Sequence, residues 1–301
     1  ALLQRPTAVK LMHPDRSGGA NHRHFEREVQ QTARLSHPNI VTIFDYGHTP
    51  EGLFYYAMEY LDGVTLDRAV QELGAMPEAR VIGLLRQMAA ALVEAHGMGL
   101  IHRDIKPQNV ILLSPRAHAD PRDTIKLLDF GLVKQLPEDG AVDRSSSDAI
   151  IGTPQYLAPE AIRAPDQVDG RMDLYALGAV GYFLLTGSHV FSAQTVVEIC
   201  SHHLHSKPEP PSERLGRPVT PELEQLLLRC LAKSPAERHG SAAELEASLT
   251  ACPTPEPWTG ELARAWWRRL DERRAGEGPH SVPSGTALTV DLRRHRQAAR
   301  S

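Results

Sequence analysis

Ile101-His102-Arg103-Asp104-Ile105-Lys106-Pro107-Gln108-Asn109 is the stretch on which the reading of this 301-residue chain turns. From Asp104 to Asn109 it sets a carboxylate, an ammonium and an amide within six positions. Asp104 can accept the proton of an incoming hydroxyl and aim its oxygen. Lys106 can reach a phosphate in transfer. Asp129-Phe130-Gly131 adds a second carboxylate on a Gly-hinged turn, and Ile125-Lys126-Leu127-Leu128 before it reads as a short strand. Asn109 and Asp129 offer the hard oxygen ligands that suit Mg²⁺. Phosphoryl transfer asks for positioning and charge neutralisation more than covalent help, and this set supplies both. Asp120 and Asp123 stand between the two motifs without a motif of their own, and read as loop carboxylates.

A third element follows in Gly152-Thr153-Pro154-Gln155-Tyr156-Leu157-Ala158-Pro159-Glu160. In this order the three motifs resemble the catalytic core of eukaryotic-like (Hanks-type) bacterial serine/threonine protein kinases. The resemblance runs from about Ala8 to about Leu249. It implies an α+β, bilobal fold with a small, mostly β N-lobe and a mostly helical C-lobe. It implies transfer of the ATP γ-phosphate to Ser or Thr hydroxyls of protein substrates, with Mg²⁺ (or Mn²⁺) as the metal. In that reading Asp104 and Lys106 are catalytic, and Asn109 and Asp129 hold the metal. Lys10, in Thr7-Ala8-Val9-Lys10, takes the place of the ATP-binding lysine, with Ala8 beside the nucleotide and Glu28 as the ion-pair partner of Lys10. Met58 is the gatekeeper, the backbones of Glu59 and Leu61 bond the adenine, and Ile111 packs beneath it. Asp173 corresponds to a buried carboxylate that bonds the catalytic-loop backbone. Glu160 and Arg238 correspond to the ion pair that anchors the activation segment.

The family carries a Gly-rich loop ahead of the lysine strand, and none of the nine residues before Lys10 is Gly. The expectation is therefore an N-terminally truncated kinase whose remaining sheet exposes a strand edge. The alternative is a catalytically weak or silent kinase-fold binding module. Between Asp129 and Glu160, the polar segment Asp143–Asp148 holds the expected phosphorylation switch at Ser145 and Ser147, with Arg103 as the group that pairs the phosphate; the alternative is a solvated linker.

The helical pattern Val81, Leu84, Leu85, Met88, Leu92 predicts a helix from Val81 to His96, stopped by Gly97 and Gly99. Asp173 opens a second, strongly apolar helix that reaches about Thr186. Cys200-Ser201-His202-His203-Leu204-His205 lacks a second paired element and reads as a surface helix end rather than a zinc site. The kinase domain is placed at 1–252, and 253–301 as a C-terminal helix followed by a flexible tail. Thr259 to about Ala275 forms that helix, with Leu262, Trp266 and Leu270 on the stripe that docks on the large lobe.

Composition narrows the partners. A net charge of −4 gives no reason to expect nucleic acid. Three cysteines make no disulfide framework, which points to a reducing, cytoplasmic setting. No apolar run approaches the length of a membrane span. Autophosphorylation would call for a transient homodimer.

Overall fold

The computed structural model describes residues 6–11, 29–49, 53–115, 123–130, 153–254 and 256–276. Two three-stranded antiparallel sheets meet a helical body. In the first sheet, β1 (Thr7–Leu11) and β2 (Ile43–His48) flank β3 (Phe54–Glu59). The register sets Lys10 opposite Tyr56 and Ala8 opposite Met58. Alternation puts Phe54, Tyr56 and Met58 on one face, where they pack with Val29 and Ile43 as a small core. Among the described strands β1 lies at the sheet edge, with Val9 and Leu11 exposed.

The second sheet, β4 (Gly63–Thr65), β5 (Val110–Leu113) and β6 (Ile125–Leu127), carries the two catalytic motifs at its ends. It joins the first lobe through a parallel bridge. Val41 N–H donates to Leu127 O at 2.9 Å, and Leu127 N–H donates to Asn39 O at 2.8 Å. The Asn39 amide completes the seam by donating to Ile125 O and to Gln87 Oε1.

Below lies the helical body. Thr65 caps α1 (Leu66–Leu73) by accepting from Arg68 N–H. Next comes α2 (Glu78–Gly97), which starts three residues ahead of the expected Val81 and ends where the glycines stand. Then follow the short α3 (Pro159–Arg163) and α4 (Arg171–Thr186). Every residue of α4 from Met172 to Leu185 is buried, so this helix is apolar all round and forms the axis of the lobe. Gly178 lets it approach the next layer: a Cβ there would stand 2.5 Å from Cβ of Cys230. Gly187 closes the helix at φ 73°, a left-handed cap that suits glycine. The remaining helices are α5 (Val196–His205), α6 (Pro211–Leu215), α7 (Pro221–Cys230), α8 (Ala242–Ala251) and α9 (Gly260–Gly276). Among the described residues no helix is long and apolar enough to cross a membrane.

Three expectations change. Leu262 is exposed, and the docking stripe of α9 is instead Ala263, Trp266, Trp267 and Leu270. The face turned by one position because tryptophans 266 and 267 both pack inward, and Ala263 fits beneath them. Asp123 does stand in the loop ahead of β6, but its side chain is buried and has structural partners. It forms a buried ion pair with Arg80 of α2 at 2.7 Å and accepts from Trp258 Nε1 at 2.7 Å. The Arg80 guanidinium lies 4.6 Å from the Trp258 ring and 4.0 Å from the Trp266 ring. Arg274 of α9 adds a two-pronged contact to Glu72 of α1 at 2.8 and 3.0 Å. The Cys200–His205 segment is not a surface end either. Cys200 is buried, and fully buried His203 meets the Tyr175 hydroxyl at 2.8 Å through Nδ1. The C-terminal tail after residue 276 lies outside the described residues.

Replacing Asp123 with Ala strips a buried guanidinium of its counter-charge. The expected loss is about 3–5 kcal/mol of stability, read from the urea midpoint of unfolding. A second outcome concerns acid. Burial, reinforced by the Lys233 charge, pushes His203 down to about 3 from the ordinary 6.5. The unfolded chain then binds the extra proton. This stabilisation is complete above pH 6.5 and fades as pH falls from there toward 3, at up to about 1.4 kcal/mol per unit. His102, His189 and His239 are shifted down for the same reason, so the sign is shared. The melting temperature should fall between pH 7.5 and pH 5, and fall less in a His203→Gln variant.

Candidate active site

The catalytic loop is held from beneath by one buried carboxylate. Asp173, at the start of α4, is 1% exposed. Its Oδ2 accepts from His102 N–H at 2.8 Å and its Oδ1 from Arg103 N–H at 2.9 Å. His96 Nε2 reaches Oδ2 from α2 at 2.9 Å. Three donors stabilise a charge that would otherwise be costly to bury. They also hold Arg103 at φ 62°, a left-handed conformation that an arginine does not adopt unaided.

His102 is itself a brace. Asp104 N–H donates to its Nδ1 at 3.3 Å, so the ring proton sits on Nε2 and donates to Leu128 O at 2.9 Å. Burial drives the His102 pKa down, which keeps the ring neutral and this tautomer in place. Phe130 packs on the same ring, with centroids 4.5 Å apart. The loop and the Asp129 turn are thus joined through one imidazole.

Above that brace the functional groups converge. Asp104 Oδ2 is held by the Asn109 amide at 2.9 Å and by the Lys106 ammonium at 2.9 Å. Asn109 spends its amide hydrogens on Asp104, on Oδ2 and on the main-chain oxygen, so its own Oδ1 takes no part in these bonds. The turn Pro107–Asn109 then runs into β5, and Leu128 N–H donates to Asn109 O at 2.8 Å. That bond ties Asn109 to the strand end that delivers Asp129. An amide oxygen and a carboxylate, with water and phosphate oxygens completing the shell, are a donor set that Mg²⁺ accepts.

Asp129 sits at φ 48°, and its side chain reaches up to the first sheet. Oδ2 pairs with Lys10 Nζ at 2.5 Å, and Oδ1 accepts from the Tyr56 hydroxyl at 2.5 Å. Lys10 is therefore paired with Asp129, and Glu28, its expected partner, lies outside the described residues. Ala8 and Met58 face each other across β1 and β3, at the top of the cleft. Glu59 ends β3 and its carboxylate pairs with Lys126 at 2.6 Å, and Tyr60, Leu61 and Asp62 form the link to β4. Ile111 lies on β5 opposite Thr65. Thr153 lines the same cleft as Arg103, Asp104 and Lys106. Glu160 and Arg238 form a two-pronged pair at 2.6 and 2.7 Å, and Arg238 also donates to Arg171 O at 2.9 Å. The Ser145–Ser147 segment lies outside the described residues.

Sequence reading found the loop groups and the two anchoring carboxylates. It gave no role to Tyr56, His96 or the His102 ring. His96 and His102 could have been suspected from their places on either side of the loop, but nothing local marks Tyr56.

A two-lobed fold with this loop over a buried aspartate defines a protein kinase domain. The chain belongs to the protein kinase domain family, which matches residues 3–249. It is 40% identical over 233 residues to the serine/threonine-protein kinase pkn3 of Myxococcus xanthus, covering 75% of this chain and 41% of that protein. It is 39% identical over 251 residues to the serine/threonine-protein kinase PknB of Mycolicibacterium smegmatis, covering 82% and 39%. The chain thus spans about two fifths of the length of these relatives. Among solved structures, the PknI kinase domain of Mycobacterium tuberculosis superposes with a TM-score of 0.61 at 30% identity, covering 82% of this chain and 85% of that one. A Rad53 fragment in complex with AMP-PNP gives 0.63 at 25% identity, covering 80% and 56%.

An Asp173→Ala substitution leaves two main-chain N–H groups and a histidine without their acceptor. The expected destabilisation is roughly 2–6 kcal/mol, measured by denaturant unfolding. Wild-type stability in that variant would mean the loop is held by other bonds.

Proposed function

We propose that this chain transfers the γ-phosphate of ATP to Ser or Thr hydroxyls of protein substrates, itself included. The observation that carries the reading is the shared grip of Lys106 and Asn109 on one oxygen of Asp104. A carboxylate fixed in this way meets an incoming hydroxyl in one orientation, accepts its hydrogen bond and takes its proton as the oxygen attacks. Lys106, beside it, neutralises charge on the phosphoryl oxygens. Asn109 Oδ1 and Asp129 hold Mg²⁺, or Mn²⁺ in its place. The ion, when bound, offsets charge on the phosphates. Lys10 leaves Asp129 for the nucleotide phosphates as the cleft fills. Ala8, Met58 and Ile111 enclose the adenine, and the backbones of Glu59 and Leu61 bond its edge. Arg103 pairs the phosphate of a phosphorylated Ser145 or Ser147.

We assign the kinase domain to 1–252 and a C-terminal helix and tail to 253–301. The setting is cytoplasmic, and autophosphorylation proceeds through a transient pair of chains.

Asp104→Asn removes the proton acceptor while keeping its hydrogen-bonding shape. Phosphate transfer to a generic protein substrate should fall by about 10²–10⁴-fold with nucleotide affinity unchanged. Near wild-type turnover would remove Asp104 from the role. Acid hydrolysis of the product should release phosphoserine or phosphothreonine, and a phosphotyrosine product would overturn the acceptor class.

A further inference from the structure

Tyr56 has no place in the machinery just described, yet its hydroxyl reaches Asp129 as closely as the Lys10 ammonium does, at 2.5 Å. It stands in the middle of β3, is 1% exposed and packs among Phe54, Val29 and Met58. Lys10 is its direct neighbour across the β1–β3 register, so both side chains leave the sheet on one face. The two donors then divide one carboxylate. Tyr56 takes Oδ1 and Lys10 takes Oδ2.

The two donors differ in kind. Lys10 is a flexible four-carbon stem, and its side chain is 40% exposed. Its ammonium is needed at the nucleotide phosphates. Tyr56 is a rigid ring with two rotatable bonds, locked by packing. Its hydroxyl has one hydrogen to give and gives it to Oδ1. Each carboxylate oxygen has two lone pairs, so a bond from Tyr56 leaves Oδ1 and Oδ2 both able to meet a cation. Asp129 sits on a left-handed turn, which by itself does not fix the rotation of its carboxylate.

We infer that Tyr56 is a positioning residue that orients the Asp129 carboxylate for a divalent cation once Lys10 has moved to the nucleotide. The inference rests on the kinase reading, and it goes beyond it by assigning a hydrogen-bond partner to the metal ligand. Such outer partners change metal affinity by about 10–100-fold.

Tyr56→Phe tests this, because the ring and its packing remain and only the hydroxyl is lost. Binding of a non-hydrolysable ATP analogue to the full chain would be titrated against Mg²⁺ and also measured in EDTA. The expected result is at least about a tenfold rise in the Mg²⁺ concentration needed for half-maximal enhancement, with affinity in EDTA unchanged. A general loss of structure would lower both. A double-mutant cycle of Tyr56→Phe with Asp129→Asn in the ligand-free protein should show non-additive changes in unfolding free energy. An unchanged Mg²⁺ dependence, a tighter Mg²⁺ dependence (Tyr56 then competes with the ion) or an additive cycle would each overturn the assignment while leaving the kinase reading intact. A wild-type chain whose nucleotide binding ignores Mg²⁺ would strike the kinase reading itself, and the inference with it.

Discussion

The geometry of the site depends on one buried charge. Asp173 stands at the start of the most deeply buried helix of the large lobe, and every polar contact of its carboxylate described above is spent on the catalytic loop or on the helix that leads into it. An aspartate in that position is tolerable only while its donors stay in place. The loop in turn bends left-handed at Arg103 while Asp173 holds the His102 and Arg103 N–H groups that lead into the bend. Loop and helix therefore stabilise each other, and neither geometry is stable alone.

Around that pair the molecule uses arginine–carboxylate contacts at long range. Arg238 is fully buried and holds Glu160 with two parallel bonds, while a third goes to the carbonyl that begins α4. The segment ending at Glu160 is thereby fixed to the same helix that carries Asp173. Arg80 does the equivalent on the opposite side, where Asp123, Trp258 and Trp266 enclose its guanidinium. Ion pairs this deep gain little net stability over an apolar packing, but breaking one leaves a stranded charge. Their effect is to fix which segments meet, and here they fix the Glu160 end of its segment and the C-terminal helix to the body.

The comparison of sequence with structure follows the same division. Asp104, Lys106, Asn109 and Asp129 were legible because their chemistry is compressed into short segments of the chain. Asp173 and the pair Glu160 and Arg238 were legible only through family resemblance, since nothing local distinguishes them from surface charges. Asp123 could be read only as a loop carboxylate, because its partners lie 43 and 135 positions away. The docking face of α9 was placed correctly at Trp266 and Leu270 but one position off at its edge. The sequence pattern favours Leu262, whereas the structure buries Ala263 and Trp267 and sets Trp266 against Arg80.

By itself, the sequence determined the family, the two-lobed architecture, the order of the elements and the identity of the loop groups. Those follow from short-range constraints: apolar periodicity, glycine and proline at breaks, and functional groups within a few residues of each other. The tertiary structure alone decided that Lys10 and Tyr56 share the carboxylate of Asp129, across sequence separations of 119 and 73 residues. It also decided that His102 is a neutral brace and that His203 is buried. A hydrogen bond needs its two atoms within about 3 Å of each other. For residues that far apart in the chain, only the register of β1 on β3 and the bridge between β6 and the first lobe bring them to that distance.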